Sequence, residues 1–419
     1  MYLVVFEDAV CNRLHPITTG RLAFAISCGS YRLVDWLDSF ELPVVGLHRN
    51  NLTAIRELDF GSILSLDDKS IAAQDRPRIM LNARLVPSAA SIKTLQEILS
   101  RPSAGPVVIW DREHLAAIID PPWTTETIRA AGHAGLDALL QNAEPWPRLD
   151  ITLPTFAVPH EVISRNMEIL SSNLTHRTKL EGWSQLQDGV FVSDNVDIGS
   201  YVVFDTSNGP IVLDAGVKIG PYTLLRGPIY AGKKCRILEH AAIKDFVSLG
   251  NTTKIGGEVE ASIVEPFTNK QHHGFLGHSY LGSWVNLGAG TCNSDLKNTY
   301  GTVNMEYGFG KAVTGMQFLG CIMGDYCKSA INTGIFTGKV IGVCSMMYGF
   351  VTSNVPSFVN YARLFGQMAT LPPEVMVATQ QRMFARRQIQ QRPCDIAIIH
   401  DMYRSTQDER DRFGDALSL

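Results

Sequence analysis

The chain has 419 residues, 45% of them hydrophobic and 19% charged, with a formal net charge of −4. This composition can fill two or three globular cores and excludes a disordered chain or a broad basic face for nucleic acid, while leaving small anionic substrates open. The eight cysteines are scattered without a CxxC pair, so reduced thiols in a cytoplasmic protein are expected, with neither a disulfide scaffold nor a zinc site.

The chain opens MYLVVFEDAV, an apolar run with no basic residues before it and with Glu7 and Asp8 directly after it. This reads as a first strand, not a signal peptide. No apolar run approaches the length of about 20 residues that spans a bilayer, so no membrane segment is expected. Residues 1–180 alternate short apolar runs with helical stretches, and strands are predicted at 2–6, 78–82 and 106–110. The pattern is that of an α/β domain with a mainly parallel sheet. A stretch rich in Pro and Trp (Pro121, Pro122, Trp123, Pro145, Trp146, Pro147) precedes a helix predicted near 160–174 that leads into the next domain.

A six-residue period then sets in. Its first position reads Leu213, Ile219, Leu225, Ala231, Ile237, Ile243, Leu249, Ile255, and its fifth reads Val217, Thr223, Ile229, Cys235, Ala241, Val247, Thr253, Val259. Each hexad is one short strand and a turn, and three hexads close a triangular coil. The aliphatic residue fills the prism and the small or β-branched one sits near the corner. Gly, Asn and Asp are expected to supply the left-handed backbone angles of the corners. Coils must stack to bury what one alone exposes. An insertion around Thr206 to Gly209 breaks the register upstream. Downstream, Leu281 and Leu287 resume the period out of phase with Ile255, which predicts that 262–274 leaves the coil as a loop. A second excursion is predicted from about Cys292 to Gly310, with the repeat returning at Met323, Ser329, Ile335 and Ile341. A β-helix domain over 185–365 and a helical segment over 366–419 follow. In the latter, Arg382, Arg386 and Arg387 lie on a solvated face or meet a ligand phosphate.

The segment NKQHHGFLGHSYLGSWVNLGAGTCNSDLKNTYG, from Asn269 to Gly301, clusters His272, His273 and His278. It resembles the acetyltransferase half of the bifunctional N-acetylglucosamine-1-phosphate uridylyltransferase/glucosamine-1-phosphate N-acetyltransferase family, and more closely a divergent branch of it. The family pattern H-x-x-Y-L-G, eight residues, V-N-I-G-A-G falls on His272, Phe275, Leu276, Gly277, Val285, Asn286, Gly288, Ala289 and Gly290 without a gap. The resemblance implies a left-handed parallel β-helix, acetyl-CoA as co-substrate, an amino-sugar phosphate (glucosamine 1-phosphate) as acceptor, and a homotrimer.

It further implies that His272 is the general base, with His273 and His278 as alternatives. An imidazole suits removal of an ammonium proton near neutral pH. Arg226 falls on a family arginine that contacts the substrate phosphate, and an arginine fork suits that geometry. Lys270 and Lys297 are further candidate cations, since Ser262 stands near where the family has a lysine. Phe275 replaces a family tyrosine. Asn286 and Asn293 match asparagines that bind the amino sugar, although two residues are missing between Thr291 and Cys292. Ala289 and the coils from Cys321 to Ser345 fall beside the acetyl-CoA groove.

The first domain carries NRLHPITTGRLAFAISCGSYRLVDWL, which resembles the sugar-1-phosphate nucleotidyltransferase signature through Arg13, Leu14, Pro16, Thr18, Arg21 and Tyr31 to Leu33. That family implies UTP and Mg²⁺. Asp8, Arg13 and Arg21 are the nucleotide-site candidates. The Gly-rich phosphate loop, however, is replaced by Glu7-Asp8-Ala9-Val10-Cys11-Asn12, and the catalytic lysine by Ala23. Asn82-Ala83-Arg84 replaces the usual N-G-D, with Asp111 as a candidate substitute for the missing metal-binding carboxylate. The readings carried forward are acetyl transfer, alone or followed by uridylyl transfer; acylation of another amino-sugar nucleotide; and a catalytically silent trimeric scaffold or sugar-nucleotide sensor.

Overall fold

A computed structural model describes residues 1–102, 105–362 and 367–412. Two compact units emerge, one formed by Met1–Leu14, Gly20–Ile26 and Tyr31–Val158, the other by His15–Thr19, Ser27–Ser30 and Pro159–Leu419.

In the first unit, β1 (Leu3–Phe6), β2 (Val44–Leu47), β3 (Ile63–Leu64), β4 (Ile79–Asn82), β5 (Val107–Asp111) and β6 (His114–Ile119) form one sheet in the order β3-β2-β1-β4-β6-β5. The pairs β1–β2, β1–β4 and β2–β3 are parallel, and β6 runs antiparallel to β4 and β5. Strands β1 and β4 are buried throughout, which is why they read as unbroken apolar runs. Strand β6 was not predicted. Only Arg112 and Glu113 separate it from β5, and Arg112 takes φ 55° with no glycine to mark the turn. The chain leaves β1 toward β2 and β3 on one side and places β4 on the other. The crevice at the carboxyl ends of β1 and β4 is therefore the sheet's topological switch point.

The second unit is a left-handed parallel β-helix of hexapeptide repeats followed by helices. Register pairs run Leu213↔Ala231↔Leu249 and Ile219↔Ile237↔Ile255, eighteen residues per coil. First-position side chains from Leu213 to Ile255 are buried, as are the fifth-position residues Val217, Thr223, Ile229, Cys235, Ala241, Val247 and Thr253. The insertion after Phe204 is present, because Val192 pairs with Leu213, twenty-one residues on.

The predicted loop over 262–274 is not. Ile263–Val264 and Asn269–Lys270 are strands in register with Ser248–Leu249 and Lys254–Ile255. The phase changes because three sides are short: Val259 pairs with Ile243, only four residues after Ile255; Val264 pairs with Leu249, five after Val259; and Leu281 pairs with Val264, five after Leu276. Val259 thus takes an interior strand position instead of the corner position its spacing predicts. A shortened side and an extruded loop shift a sequence period identically, so the period could not separate them.

The second excursion starts later and ends later than expected. Cys292–Asn293 still pairs with Gly334–Ile335, and residues 294–320 leave the coil, carrying the hairpin Asn304–Tyr307 and Gly310–Val313. The repeat returns as expected, with Met323, Ser329, Ile335 and Ile341 buried.

The corners follow expectation in part. Positive φ falls on Asn195, Gly216, Asp245, Gly257, Gly274, Gly290 and Asn332, but also on Tyr201, Tyr222, Lys234, His240, Thr252, Phe267 and Trp284. A left-handed residue with a Cβ costs about 1–2 kcal/mol. Stacking from coil to coil offsets much of this at about 0.5–1.5 kcal/mol per aromatic pair. Tyr201–Tyr222 and Phe267–Trp284 stack at 5.0 and 4.4 Å, and His240 extends the first pair at 5.4 Å from Tyr222.

The helix His160–Arg177 lays Leu170 and Leu174 on Val212 of the β-helix. Beyond the coils, helices Pro373–Arg386, Pro393–Ser405 and Gln407–Asp411 follow. Of the predicted segment 366–419, residues 366 and 413–419 lie outside the described residues. Among the described residues no helix is long and apolar enough to cross a membrane.

Candidate functional site

In the β-helix, His272 and His273 occupy the corner between the strands Asn269–Lys270 and Phe275–Gly277, and both are exposed. The next coil stacks directly on this corner: Leu287 N–H donates to Asn269 O at 2.9 Å and Gly290 N–H to His273 O at 3.1 Å. Ala289 is thereby set on the coil stacked over the His272–His273 corner. Here the corner changes from aromatic residues to Gly257, Gly274 and Gly290, all at positive φ. A Cβ at Gly274 would lie 2.1 Å from Thr291 O. One at Gly290 would lie 2.1 Å from Asn332 Oδ1 and 3.3 Å from His273 Nε2. The glycines let the coils pack closely beside the histidines, with Asn332 and Cys292 filling the space a Cβ would take.

Phe275 lies half-buried on the outer face of the following strand, its N–H on Cys292 Sγ at 3.4 Å. Asn286 is half-buried on the preceding face, where its Oδ1 accepts from Asn269 Nδ2 at 3.3 Å. His278 lies beyond the strand Phe275–Gly277, on the next corner, a strand's length of about 10 Å away. Its Nδ1 is 2.8 Å from Asp295 Oδ2 and its ring stacks on Phe318. Asp295 was missed because nothing in the sequence marks a carboxylate seventeen residues on as the partner of this histidine.

Four of the expected ligands are placed otherwise. Lys270 is in register with Ile255, so its side chain takes an interior position and is 2% exposed. Its ammonium donates to Gly256 O at 2.7 Å and His272 O at 3.0 Å, which fixes the histidine corner from within and leaves no approach for a substrate phosphate. Asn293 is in register with Ile335 and also points inward, its amide spent on Gly277 N–H at 2.8 Å and Gly277 O at 3.0 Å. Arg226 is paired with Asp245. It lies three strand spacings, about 14 Å, from Gly277 on the sheet's outer row. Lys297 donates to Thr302 O at 2.6 Å inside the excursion. Alternation in and out of a strand decides the first two cases: an inserted or deleted residue turns a ligand into a core residue.

Arg387 reaches the sheet, donating to Asn269 Oδ1 at 2.7 Å. Burial first, then the charges of Arg387, Arg236 and Arg386, hold the Lys254 ammonium below its usual range. Lys328 is half-buried on the outer face of its strand, next to the inward Ser329, and donates to Trp284 O at 2.8 Å and Tyr326 O at 2.9 Å. Burial pushes both Lys270 and Lys328 down from 10.5 to about 8. A depressed lysine pKa means that the unfolded chain binds more protons in that window, so stability rises with pH as the folded-state penalty is relieved. The urea midpoint should therefore increase between about pH 7.5 and about pH 9.5, and Lys270→Met should flatten the rise. A midpoint that falls over that interval would contradict the penalty.

In the first unit the switch-point crevice holds Glu7 and Asp8 at the end of β1. Glu7 accepts from Ala23 N–H at 2.8 Å and from Arg49 Nε at 2.9 Å. Burial alone would raise its carboxyl; the Arg49 charge and hydrogen bonds outweigh that and hold it low. Asp8 Oδ1 accepts from Arg84 Nε at 2.7 Å, and Oδ2 from Arg84 Nη2 at 2.5 Å and Asn82 Nδ2 at 2.8 Å. Asp111, the candidate substitute metal ligand, accepts from Thr155 N–H at 2.8 Å and Thr155 Oγ1 at 3.0 Å. The pairings correct the expectation for Asp8 as a nucleotide-site residue: its carboxylate is held by Arg84 and Asn82 and is not free to bind a nucleotide through a metal. Arg13 and Arg21 are half-buried nearby in sequence, Arg21 lending its carbonyl to Arg49 at 2.7 Å.

The sugar nucleotidyl transferase family profile matches residues 3–179. The bifunctional protein GlmU of Cyanothece sp. is 36% identical over 167 residues, covering 39% of this chain and 28% of that protein. The GlmU of Acaryochloris marina is 32% identical over 161 residues, covering 36% and 31%. Over these segments the chain is similar to GlmU. The alignments span about a third or less of the length of these curated relatives. A solved UDP-N-acetylglucosamine acyltransferase from Francisella novicida aligns over 54% of this chain and 76% of its own at 14% identity, with a TM-score of 0.26. The β-helix assignment rests on the strand register, not on that alignment.

Proposed function

We propose that the β-helix unit moves an acetyl group from acetyl-CoA to the amine of an amino-sugar phosphate, with glucosamine 1-phosphate as acceptor and a homotrimer as the active form. The observation that carries this reading is the exposed His272–His273 corner, flanked by Gly274 and Gly290 and stacked under the coil that carries Ala289. In this reading His272 takes the ammonium proton. The amine nitrogen then bonds to the thioester carbonyl carbon, the C–S bond breaks, and coenzyme A leaves as the thiol. Phe275 and Asn286 flank the acceptor, and Ala289 lines the acyl-CoA groove. Residues 185–365 form the acetyltransferase domain, with 1–180 as the nucleotidyltransferase-like domain and 366–419 as a helical appendage.

The test is chromatographic detection of free coenzyme A from acetyl-CoA with glucosamine 1-phosphate and with other amino-sugar phosphates. Acceptor-dependent release is expected. Absence of release with every amino sugar would leave a silent scaffold or sensor as the better reading.

A second check uses a native thiol. Cys292 is exposed beside Phe275, and the other seven cysteines are buried. Iodoacetamide should modify one thiol rapidly in the folded protein, identified by peptide mass as Cys292, and saturating acetyl-CoA should slow it. Equal rates with and without acetyl-CoA would argue against a groove at this corner.

A further inference from the structure

The carboxyl ends of β1 and β4 are where an open parallel sheet of this order takes its ligand. A divalent ion there would need several free oxygens, at least one from a carboxylate. The sequence places Glu7-Asp8 after β1 and Asn82-Ala83-Arg84 after β4. The structure brings the second group onto the first. Arg84 is fully buried, and its guanidinium forks onto both oxygens of Asp8 while donating to Phe156 O. Asn82 closes the remaining side of Asp8 and also donates to Leu115 O at 2.9 Å. The backbone holds the arginine from both sides: Arg84 N–H donates to Asn82 Oδ1 at 3.0 Å, and Phe156 N–H donates to Arg84 O at 2.9 Å.

The neighbouring carboxylates are equally committed, Glu7 to Arg49 and Ala23 and Asp111 to Thr155. Among the described residues no group of three or more His, Cys, Asp or Glu side chains is placed to hold a metal. The residues present therefore do not fit Mg²⁺.

We propose that Arg84 is a resident cation: its guanidinium stands at the cation position of the switch-point crevice, so the first unit takes up no divalent ion there and does not release pyrophosphate from a nucleoside triphosphate. A fixed single charge, already neutralised by Asp8, has no surplus to offer the charge that spreads over a transferring phosphoryl group. What the pair supplies instead is a tie between the ends of β1 and β4 and the strand-like segment at Thr155–Phe156. The unit has kept its sheet and exchanged its metal chemistry for an internal ion pair.

The experiment uses the full-length wild-type protein. In an electron paramagnetic resonance titration, the free Mn²⁺ signal should match that of buffer and that of Asp8→Asn, because no site removes the ion. In a parallel assay with UTP and N-acetylglucosamine 1-phosphate, pyrophosphate release should stay at background with Mg²⁺ and with chelator alike. Uptake of Mn²⁺ by the wild type that Asp8→Asn abolishes would overturn the proposal. So would Mg²⁺-dependent pyrophosphate release, a result that needs no variant to fold. Coenzyme A release is read separately, so loss of the acetyltransferase reading and loss of this one give different signatures.

Discussion

His272→Ala should lower kcat/KM for acetyl transfer by about 10²–10⁴, the usual worth of a positioned general base. The melting temperature should not move, because the imidazole is exposed and no described side chain hydrogen-bonds it. His273→Ala should cost less, since its ring lies toward Gly290 and serves to line the groove. His278→Ala should behave in the opposite way. It breaks the bond to Asp295 and the stack on Phe318 on another corner, so stability should fall while kcat holds. Initial rates and thermal melts on the three variants separate these outcomes. Wild-type kcat/KM in His272→Ala would remove the base assignment, and a large loss in His273→Ala alone would transfer it.

Asp8→Ala should destabilise the first unit by about 3–5 kcal/mol, the cost of leaving a buried charge without its partner. The asymmetry of the pair sharpens this. The Arg84 side chain is 0% exposed and that of Asp8 12%, so a widowed Asp8 still meets water and a widowed Arg84 does not. Arg84→Met should therefore cost less than Asp8→Ala. Burial by itself would raise the Asp8 carboxyl; Arg84 and Asn82 outweigh it and hold it below the usual carboxylate range. The stability this contributes is present above the ordinary carboxylate pKa and is lost as pH falls through the lowered value. Urea unfolding followed by tryptophan fluorescence reports mainly on this unit, which holds Trp36, Trp110, Trp123 and Trp146 of the six tryptophans. Equal losses for Asp8→Ala and Arg84→Met would contradict the burial argument.

The sequence by itself determined the repeat. A six-residue period with aliphatic and small residues at fixed places has few other solutions, because stacked coils bury the same two positions of every hexad. Leu213 through Ile255 lie in the prism for that reason. The two buried strands β1 and β4 were likewise legible, being apolar on both faces. The histidine cluster and the glycines beside it were visible as a motif, but the repeat predicted a loop there, and the strand register alone puts His272 and His273 on a corner of the coil with His278 on the next.

Register and charge pairing were decided only in three dimensions. Lys270 and Asn293 carry polar groups suited to a sugar phosphate, yet Lys270 is turned inward by the short sides before it and Asn293 by its place six residues after Leu287, each onto main-chain carbonyls. No composition signal distinguishes a deletion at a corner from a loop, since both displace the period by the same count. The partners Asp245 of Arg226, Asp295 of His278 and Arg84 of Asp8 lie 19, 17 and 76 residues away along the chain. Folding, not spacing, brings these charges within hydrogen-bond reach. That contact separates an available ligand from a neutralised one, and it closes the crevice of the first unit while leaving the His272 corner open.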